Sequence, residues 1–169
     1  MSVGAHRSQG PRHVSCAIVT VSDTRTPETD TSGSAIAALL EAAGHQVASR
    51  ALVKDEVDAV TRAVADALDA GTVDAVILTG GTGLSARDST FEAVTGLFEK
   101  TIDGFGEFFR ALSFQDIGPA AMLSRATAGI ARGRVIFLLP GSEAAVRLAM
   151  DRLIIPELSH IVGELRRTT

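Results

Sequence analysis

The sequence is poor in aromatic residues and nearly free of cysteine. Its 169 residues include seven Phe and one Cys, with no Trp or Tyr. A core without many large rings must be built from Val, Ile, Leu and Ala, which favours a helix-covered parallel sheet over an antiparallel sandwich. Cys16 lies within the apolar run 14–21 and has no second cysteine to pair with, so we expect it only to fill space in the core.

The sequence also lacks an excess of positive charge and any long apolar run. Sixteen Lys and Arg against 20 Asp and Glu give a net charge of −4, whereas nucleic-acid-binding surfaces are normally basic. No run reaches the roughly 18 apolar residues that a transmembrane helix needs. We therefore expect neither nucleic acid nor membrane as a partner. Residues 1–12 carry charge and glycine, which predicts a disordered tail rather than a signal peptide and a cytoplasmic protein.

Short apolar strands alternate with amphipathic helices along the chain. Strands are predicted at 14–22, 45–53, 73–79 and 134–139, the second nearer an edge, and helices at 33–43, 55–70 and 142–153, with two or three more between 90 and 129. Pro156 is expected to break or kink the last helix before a final turn through Arg166. This β-α-β-α-β order predicts one α/β domain, residues 13–169, with a parallel sheet covered on both faces.

Three of the predicted strands end in small, polar or glycine-rich residues. In an open parallel sheet, ligands bind beyond the carboxyl ends of the strands. We therefore expect the binding residues to be Ser22, Asp23, Thr24, Thr79, Gly80, Gly81, Thr82, Gly83, Pro140, Gly141 and Ser142.

The segment 79–88, which we call the Gly-rich loop, carries the most specific signal. Three of the four residues at 80–83 are glycine, so backbone N–H groups can approach an anion closely. Ser89 and Glu92 have the spacing of a capping box, which would direct a helix N-terminus at the same place.

Other interpretations of this loop are less favoured. A P-loop would need a lysine after the glycines, and none follows. The spacing Gly81-x-Gly83-x-x-Ala86 fits the dinucleotide fingerprint, but it follows the wrong strand and no acidic residue ends a next strand about 20 residues later. A plain turn with Asp88 as a capping carboxylate remains open, although a turn needs only one glycine.

Two aspartates are candidate metal ligands. Asp55 alone would be an ordinary helix N-cap, but together with Asp88 it could hold Mg²⁺, which takes one or two carboxylates plus substrate phosphates. Arg87, Arg110 and Arg125 are candidate phosphate contacts, with surface ion pairs as the alternative for each.

These motifs together resemble the MoaB/MogA family of molybdenum cofactor biosynthesis proteins, over residues 14–166. The resemblance is carried by TVSDT at 20–24, TGGTG at 79–83 with the Arg-Asp pair at 87–88, SRA at 124–126 and PGS at 140–142. The stretch 104–113, which begins GFGEFF, is similar to the MoaB branch.

The resemblance implies a three-layer α/β/α domain with a mostly parallel, mixed sheet, assembled as a trimer or a dimer of trimers. It implies molybdopterin binding and transfer of AMP from Mg-ATP to the terminal phosphate of molybdopterin, with Asp55 and Asp88 as catalytic residues and Mg²⁺ ligands. It adds Arg87, Thr90 and Ser124 to the substrate-binding residues. The alternative is a catalytically idle, molybdopterin-carrying protein, and Glu143, near the expected phosphate, has no role on either view.

Overall fold

The computed structural model describes residues 10–167 and contains a six-stranded mixed sheet. Its strands are β1 (Ser15–Val21), β2 (Gln46–Val53), β3 (Ala75–Thr79), β4 (Lys100–Thr101), β5 (Thr127–Ala131) and β6 (Arg134–Leu139). They lie in the order β2-β1-β3-β6-β5-β4. The first four of that order are parallel, and β5 runs antiparallel to both β6 and β4.

Six α-helices cover the sheet within the described residues. They are α1 (Thr31–Ala42), α2 (Val57–Asp69), α3 (Thr90–Thr95), α4 (Asp103–Ile117), α5 (Glu143–Ala149) and α6 (Ile155–Arg166). A 3₁₀ helix spans Gly118–Leu123 and a π-helical segment spans Met150–Ile154. No helix among residues 10–167 is both long and apolar enough to cross a membrane.

Two apolar cores lie on opposite faces of the sheet. Alternate residues of each central strand point to opposite faces, so Ile18 packs with α1, α4, α5 and α6, whereas Val19 packs with α2 and α3. The same alternation continues in β3 with Ile77 and Leu78. The expected three-layer α/β/α architecture with a mixed sheet is therefore confirmed.

The two or three helical segments predicted between residues 90 and 129 are present as α3, α4 and the 3₁₀ helix, but the prediction missed β4 and β5. The sequence of β5, Thr-Ala-Gly-Ile-Ala, has few of the β-branched and aromatic residues that indicate a strand. Pairing with β6 creates this strand through a two-residue turn, in which Arg132 and Gly133 have φ of 50° and 70°. Both positive values fit the primed turns of tight hairpins.

The prediction that only a last turn follows Pro156 is also wrong, because α6 continues for 12 residues. Pro156 lies within one helical run from Glu143 to Arg166, directly after Ile155, whose N–H donates to the carbonyl of Met150 five residues earlier. The regular helical bonding is thus already interrupted at the point where the proline, which has no N–H, follows. The irregularity comes earlier, in the π-helical segment. Of the predicted tail 1–12, residues 1–9 lie outside the described residues, and Gly10 lies against the backbone of Ser159. The disorder of that tail stays a prediction.

The strand order locates a crevice at the carboxyl ends of β1 and β3. The chain leaves β1 toward β2 at one edge of the sheet, and it leaves β3 toward β4 at the opposite edge, beyond β6 and β5. Loops that diverge from adjacent parallel strands open the gap in which ligands of such sheets bind. The residues after β1 and the Gly-rich loop after β3 are the two sides of this gap.

Candidate functional site

The predicted strand ends meet at one edge of the sheet. The N–H of Ser22 donates to the carbonyl of Val53 at 2.9 Å, which joins the ends of β1 and β2. The N–H of Gly80 donates to the carbonyl of Leu139 at 3.0 Å, which joins the ends of β3 and β6. The buried hydroxyl of Thr79 donates to the carbonyl of Pro140 at 2.9 Å. The structure thus brings the three predicted segments together.

Asp23 connects the segments that follow β1, β2 and β3. Its Oδ1 accepts a hydrogen bond from the N–H of Asp55 at 3.1 Å, and its Oδ2 accepts one from Arg87 at 2.6 Å. Its carbonyl accepts a hydrogen bond from Nζ of Lys54 at 2.7 Å. Asp23 therefore ties the loop after β2 and the Gly-rich loop to the end of β1, and it anchors the exposed guanidinium of Arg87 at the entrance of the site.

The carboxylate of Asp55 uses one oxygen for structure. Its Oδ1 accepts hydrogen bonds from the N–H of Ser89 at 3.2 Å, the hydroxyl of Ser89 at 3.1 Å and the hydroxyl of Thr90 at 3.0 Å. Within residues 10–167 no donor is bonded to its Oδ2. That oxygen lies 2.8 Å from the position that a Cβ on Gly81 would occupy. One oxygen is therefore fixed and the other faces the Gly-rich loop.

Asp88 also lies against the Gly-rich loop, where its carboxylate faces Gly83, two residues after the Gly81 that Asp55 faces. Its Oδ2 accepts a hydrogen bond from the N–H of Ser85 at 3.1 Å, and it lies 2.5 Å from the position of a Cβ on Gly83. Residues two apart have Cα atoms at most about 7 Å apart. The carboxylates of Asp55 and Asp88 thus contact neighbouring parts of one short segment.

The predicted capping box at α3 is wrong. The side chain of Ser89 caps no N–H of its own helix, and Glu92 pairs with Arg125 instead of reaching back to Ser89. Asp55 takes the capping role from a distant part of the chain, because its carboxylate binds the first donors of α3. The first two N–H groups at this end of the helix are therefore bonded within the protein, that of Ser89 to Asp55 and that of Thr90 to the carbonyl of Gly81.

Arg125 donates hydrogen bonds to backbone carbonyls of the Gly-rich loop. Its Nε donates to the carbonyl of Thr82 at 2.9 Å, and one terminal nitrogen donates to the carbonyl of Gly83 at 2.5 Å. The other terminal nitrogen is paired with Glu92, and the guanidinium carbon lies 4.7 Å from the ring centre of Phe91. Three of the five N–H donors of Arg125 are thus used within the protein, and its role as a phosphate contact stays a prediction.

The loop has bonded carbonyls and free N–H groups. The carbonyl of Gly81 accepts a hydrogen bond from the N–H of Thr90 at 3.2 Å, and Arg125 binds the next two carbonyls. In the part of the chain that the structure describes, four consecutive N–H groups donate to no protein acceptor; they belong to Gly81, Thr82, Gly83 and Leu84. Gly80 and Gly81 both have positive φ, of 105° and 67°. Successive free N–H groups in such a turn form an anion-binding concavity.

The segment Pro140-Gly141-Ser142 is held by α1 and its preceding loop. The carbonyl of Gly141 accepts hydrogen bonds from Arg25 at 3.0 Å and from the hydroxyl of Ser32 at 2.8 Å. Ser142 caps α5 by accepting from the N–H of Ala145 at 3.2 Å. These contacts fix the segment beside Gly80, whose Cα would lie 3.4 Å from a Cβ on Gly141.

Glu143 now has a structural explanation. It pairs with Arg147, four residues later on α5, through two hydrogen bonds of 2.9 Å and 2.8 Å. The pair is partly exposed and lies on one face of the helix. Its negative charge is therefore compensated locally, which is compatible with a phosphate nearby.

The remaining predicted residues fall into two groups. Thr24 donates its N–H to the hydroxyl of Ser22 at 3.3 Å and so forms the turn after β1. Thr90 is fully buried and faces Asp55. Ser124 lies apart, in a cleft of about 380 Å³ that it shares with Arg110 and Arg125. Arg110 donates to the carbonyl of Ser124 at 3.4 Å, which occupies one of its nitrogens.

A second cleft of about 340 Å³ lies beside the Gly-rich loop and is lined by Gly83, Asp88 and Arg125 among others. It adjoins the cleft of Ser124, because Arg125 lines both. A larger apolar groove of about 510 Å³ lies between β2 and α2 and contains none of the predicted site residues. Since polar groups converge at the loop and not in that groove, we take the loop as the site.

The donor set of the loop fits Mg²⁺. The described residues contain no cluster of three or more Asp, Glu, His or Cys side chains that could hold a metal by themselves. Mg²⁺ does not require one, because it binds through one or two carboxylates and completes its shell with waters and substrate phosphates. Asp55 offers Oδ2 and Asp88 offers its Oδ1, beside the free N–H groups of the loop.

The sequence interpretation missed two functions at this site. It did not assign Ser89 to Asp55, and it did not assign Arg125 to the loop carbonyls. Residues 34 and 42 positions apart are joined in these contacts, and periodicity carries no signal over such separations. The sequence pointed to Arg125 as a candidate phosphate contact and as part of the SRA motif, but not to its contacts with the loop carbonyls.

The chain matches the family model described as a probable molybdopterin binding domain over residues 17–160. It is 54% identical to molybdenum cofactor biosynthesis protein B of Bacillus subtilis, over 99% of both chains. A crystal structure of a molybdenum cofactor biosynthesis protein B superposes with a TM-score of 0.91 at 52% identity, covering 95% of this chain and 100% of the other.

The tungsten cofactor synthesizing protein MoaB from Pyrococcus furiosus gives a TM-score of 0.84 at 36% identity, over 93% of this chain and 99% of the other. These similarities span both the sheet and the loops described above. The sequence, the fold and the polar sheet edge lead to one conclusion: the chain belongs to the MoaB/MogA family of molybdopterin-binding-domain proteins, in its MoaB branch.

Proposed function

We propose that this protein acts in molybdenum cofactor biosynthesis, where it binds molybdopterin and transfers AMP from Mg-ATP to the terminal phosphate of that ligand. Family membership supports the role in cofactor biosynthesis and molybdopterin as the ligand. The adenylyl transfer is our inference from the site. Because the reaction consumes ATP, the proposal includes a cytoplasmic location.

One observation carries the proposal: four free N–H groups lie beside two carboxylates at the end of a parallel sheet. The N–H groups of residues 81–84 are suited to phosphate oxygens, and Asp55 and Asp88 are suited to Mg²⁺. A site that bound only an uncharged ring would need neither feature. A nucleotide and a phosphorylated pterin together present several phosphates, which require both.

The reaction balances without a general base. An oxygen of the terminal phosphate of molybdopterin attacks the α-phosphorus of ATP, and the bond from that phosphorus to the oxygen that bridges the α- and β-phosphates breaks. AMP becomes attached to the pterin phosphate and pyrophosphate leaves. The nucleophile is already an anion, so the protein must mainly align two phosphates and compensate their charge.

The residues of this chain divide those tasks. The N–H groups of the Gly-rich loop bind phosphate oxygens, and Asp23 holds Arg87 at the entrance, where the remaining N–H donors of Arg87 bind phosphate oxygens. Asp55 and Asp88 would hold Mg²⁺, which would neutralise phosphate charge when bound. Asp55 is oriented for this by Ser89 and Thr90.

The direct test is an anaerobic assay with molybdopterin, ATP and Mg²⁺ that follows AMP transfer to the pterin. We expect transfer in the native protein and its loss in Asp88→Asn. Binding of molybdopterin without transfer would replace the enzyme by the carrier alternative. Binding of neither ligand would refute the proposal.

One observation favours the carrier alternative. Both carboxylates already have structural partners, since Oδ2 of Asp88 binds the N–H of Ser85 and Oδ1 of Asp55 binds Ser89 and Thr90. Such a site could bind phosphates through its N–H groups without assembling a metal centre. Measuring Mg²⁺ binding in the presence of ATP separates the two, because the carrier would show none above that of ATP alone.

We also propose that the protein is a homo-oligomer, a trimer or a dimer of trimers. Five large apolar side chains are more than half exposed on α4 and the 3₁₀ helix, and they are Phe108, Phe114, Ile117, Met122 and Leu123. Large apolar side chains exposed together on two consecutive elements are suited to burial against another copy of the chain. We expect sedimentation to give a trimer or hexamer and Phe108→Glu to shift it toward monomer; a monomeric native protein would contradict this.

A further inference from the structure

We infer that Arg125 is a positioning residue that orients the phosphate-binding N–H groups of the Gly-rich loop. This inference deepens the proposed function, because it concerns how the same loop is made ready for its ligand. Arg125 makes its hydrogen bonds to the carbonyls of Thr82 and Gly83 and to the side chain of Glu92, so each nitrogen of its guanidinium makes a contact within the protein and three of its five N–H donors are used.

Peptide geometry connects those carbonyls to the N–H groups. A trans peptide unit is planar and rigid, and its C=O and N–H point in opposite directions. The carbonyl of Thr82 shares a unit with the N–H of Gly83, and the carbonyl of Gly83 shares one with the N–H of Leu84. By holding both carbonyls, Arg125 turns these two N–H groups away from itself and leaves them without a protein acceptor.

A glycine-rich segment needs contacts that restrict the conformation of its backbone. Gly80, Gly81 and Gly83 have no side chains that restrict their backbone, so the unfastened loop has many conformations. The N–H of Thr90 fixes the preceding unit by donating to the carbonyl of Gly81 at 3.2 Å. Three successive peptide units are therefore held through their carbonyls, two of them by Arg125.

The guanidinium is itself held in place. It lies over the ring of Phe91, with its carbon 4.7 Å from the ring centre, and it is paired with Glu92. The hydrogen bond from Arg125 lowers the pKa of Glu92 below its ordinary value, so the pair stays ionised at neutral pH. Phe91 and Glu92 both belong to α3, so Arg125 fixes the position of the loop relative to that helix.

The geometry requires an arginine and not only a positive charge. A planar guanidinium can donate in parallel to two adjacent carbonyls and a carboxylate, whereas the ammonium of lysine is a point charge on a flexible chain. Arg125→Lys is therefore the informative variant. Arg132→Lys is the matched control, because Arg132 is paired with Asp69 at 2.6 Å and both are exposed, on residues outside the site.

The experiment measures the amide signals of Gly83 and Leu84 by nuclear magnetic resonance while ATP and Mg²⁺ are added, and measures the ATP dissociation constant in parallel. In the native protein and in Arg132→Lys we expect both amide protons to shift on binding. In Arg125→Lys we expect the free-state signals to move and the ligand-induced shifts to disappear. We expect ATP binding to weaken about tenfold, as for the loss of one or two hydrogen bonds.

Two results would overturn the inference. If Arg125→Lys kept native amide signals and native ATP affinity, the contacts of Arg125 would not be needed to orient the loop. If it weakened binding but left the free-state amide signals unchanged, Arg125 would contact the ligand directly. The free-state amide signals need no ligand, so they test the positioning role of Arg125 even if the native protein transfers no AMP. If Arg125 proved to orient the loop but the native protein transferred no AMP, only the proposed function would be refuted.

Discussion

The hydroxyl of Thr90 donates a hydrogen bond to Oδ1 of Asp55, with 3.0 Å between the two oxygens and 35 residues between them in sequence. Thr90 is fully buried. The family resemblance implies a substrate-binding role for Thr90, but its place in the structure indicates an indirect one. It fixes one oxygen of Asp55, so that the other oxygen can face the ligand.

Replacing Thr90 tests this relationship. Thr90→Val keeps the shape of the side chain and removes one donor to a charged group, a contact worth about 1.5–3 kcal/mol. We expect AMP transfer to fall about tenfold at saturating molybdopterin, because the carboxylate is less well oriented. The measurement is the AMP transfer rate as a function of both substrates, with Thr90→Ser expected to restore it.

Thr95→Val is the control for this experiment. It removes a hydroxyl from the same helix, one that donates to the carbonyl of Phe91 at 2.8 Å and does not reach Asp55. Its transfer rate should stay within about twofold of native, as expected for a substitution away from the site. If Thr90→Val instead raised KM for molybdopterin and left kcat unchanged, Thr90 would contact the substrate itself.

Gly81 is a position in the Gly-rich loop where a side chain would clash. A Cβ there would overlap Oγ1 of Thr90 and lie 2.8 Å from Oδ2 of Asp55, at a φ of 67° that side chains rarely adopt. We expect Gly81→Val to abolish molybdopterin and ATP binding and to lower the melting temperature. Gly104→Val is the control, because a Cβ at Gly104 meets nothing within 4 Å. Normal ligand binding by Gly81→Val would show that the Gly-rich loop does not bind the ligand.

Asp88 should matter for turnover more than for folding. In Asp88→Asn the amide oxygen can still accept the hydrogen bond from Ser85, but the negative charge for Mg²⁺ is lost. We expect a melting temperature close to native and AMP transfer at least about tenfold slower. Asp69→Asn, on an exposed ion pair, is the control. Unchanged turnover in Asp88→Asn would remove the proposed metal-ligand role.

His45 predicts a loss of stability in mild acid. Burial, and then the nearby charge of His13, lowers the pKa of His45 below its ordinary value of 6.5. Its Nδ1 accepts a hydrogen bond from the N–H of Val14 at 3.3 Å, which requires the neutral ring. As pH falls below about 6.5 the unfolded chain binds a proton that the folded chain resists, so the free energy of unfolding decreases.

The measurement for His45 is the melting temperature between pH 7.5 and pH 5.5. His45→Asn places an oxygen where Nδ1 accepts and cannot take up a proton, so we expect a smaller decrease than in the native protein. Equal decreases in the two proteins would assign the acid sensitivity to other groups. The same variant at pH 7.5 controls for any general destabilisation.

The elements that the sequence predicted well are those whose pattern is local. β1, β3 and β6 are continuous apolar runs, and α2 has apolar residues three and four apart, among them Val60 and Val64. β5 was missed because Ala128 and Gly129 have little preference for a strand, and it exists only because β6 lies beside it. The polar segments after the strands were recognisable for a similar reason, because their glycines and small polar residues are adjacent in sequence.

The sequence by itself therefore determined the α/β class, the apolar strands, the glycine-rich loop and the two aspartates. The tertiary structure alone decided which atoms those residues use. Hydrogen bonds between Asp55 and Thr90, and between Arg125 and Thr82, join residues 35 and 43 positions apart. Local preferences act over a few residues along the chain, whereas these contacts depend on how the strands are ordered. That order brings the two sides of the site together.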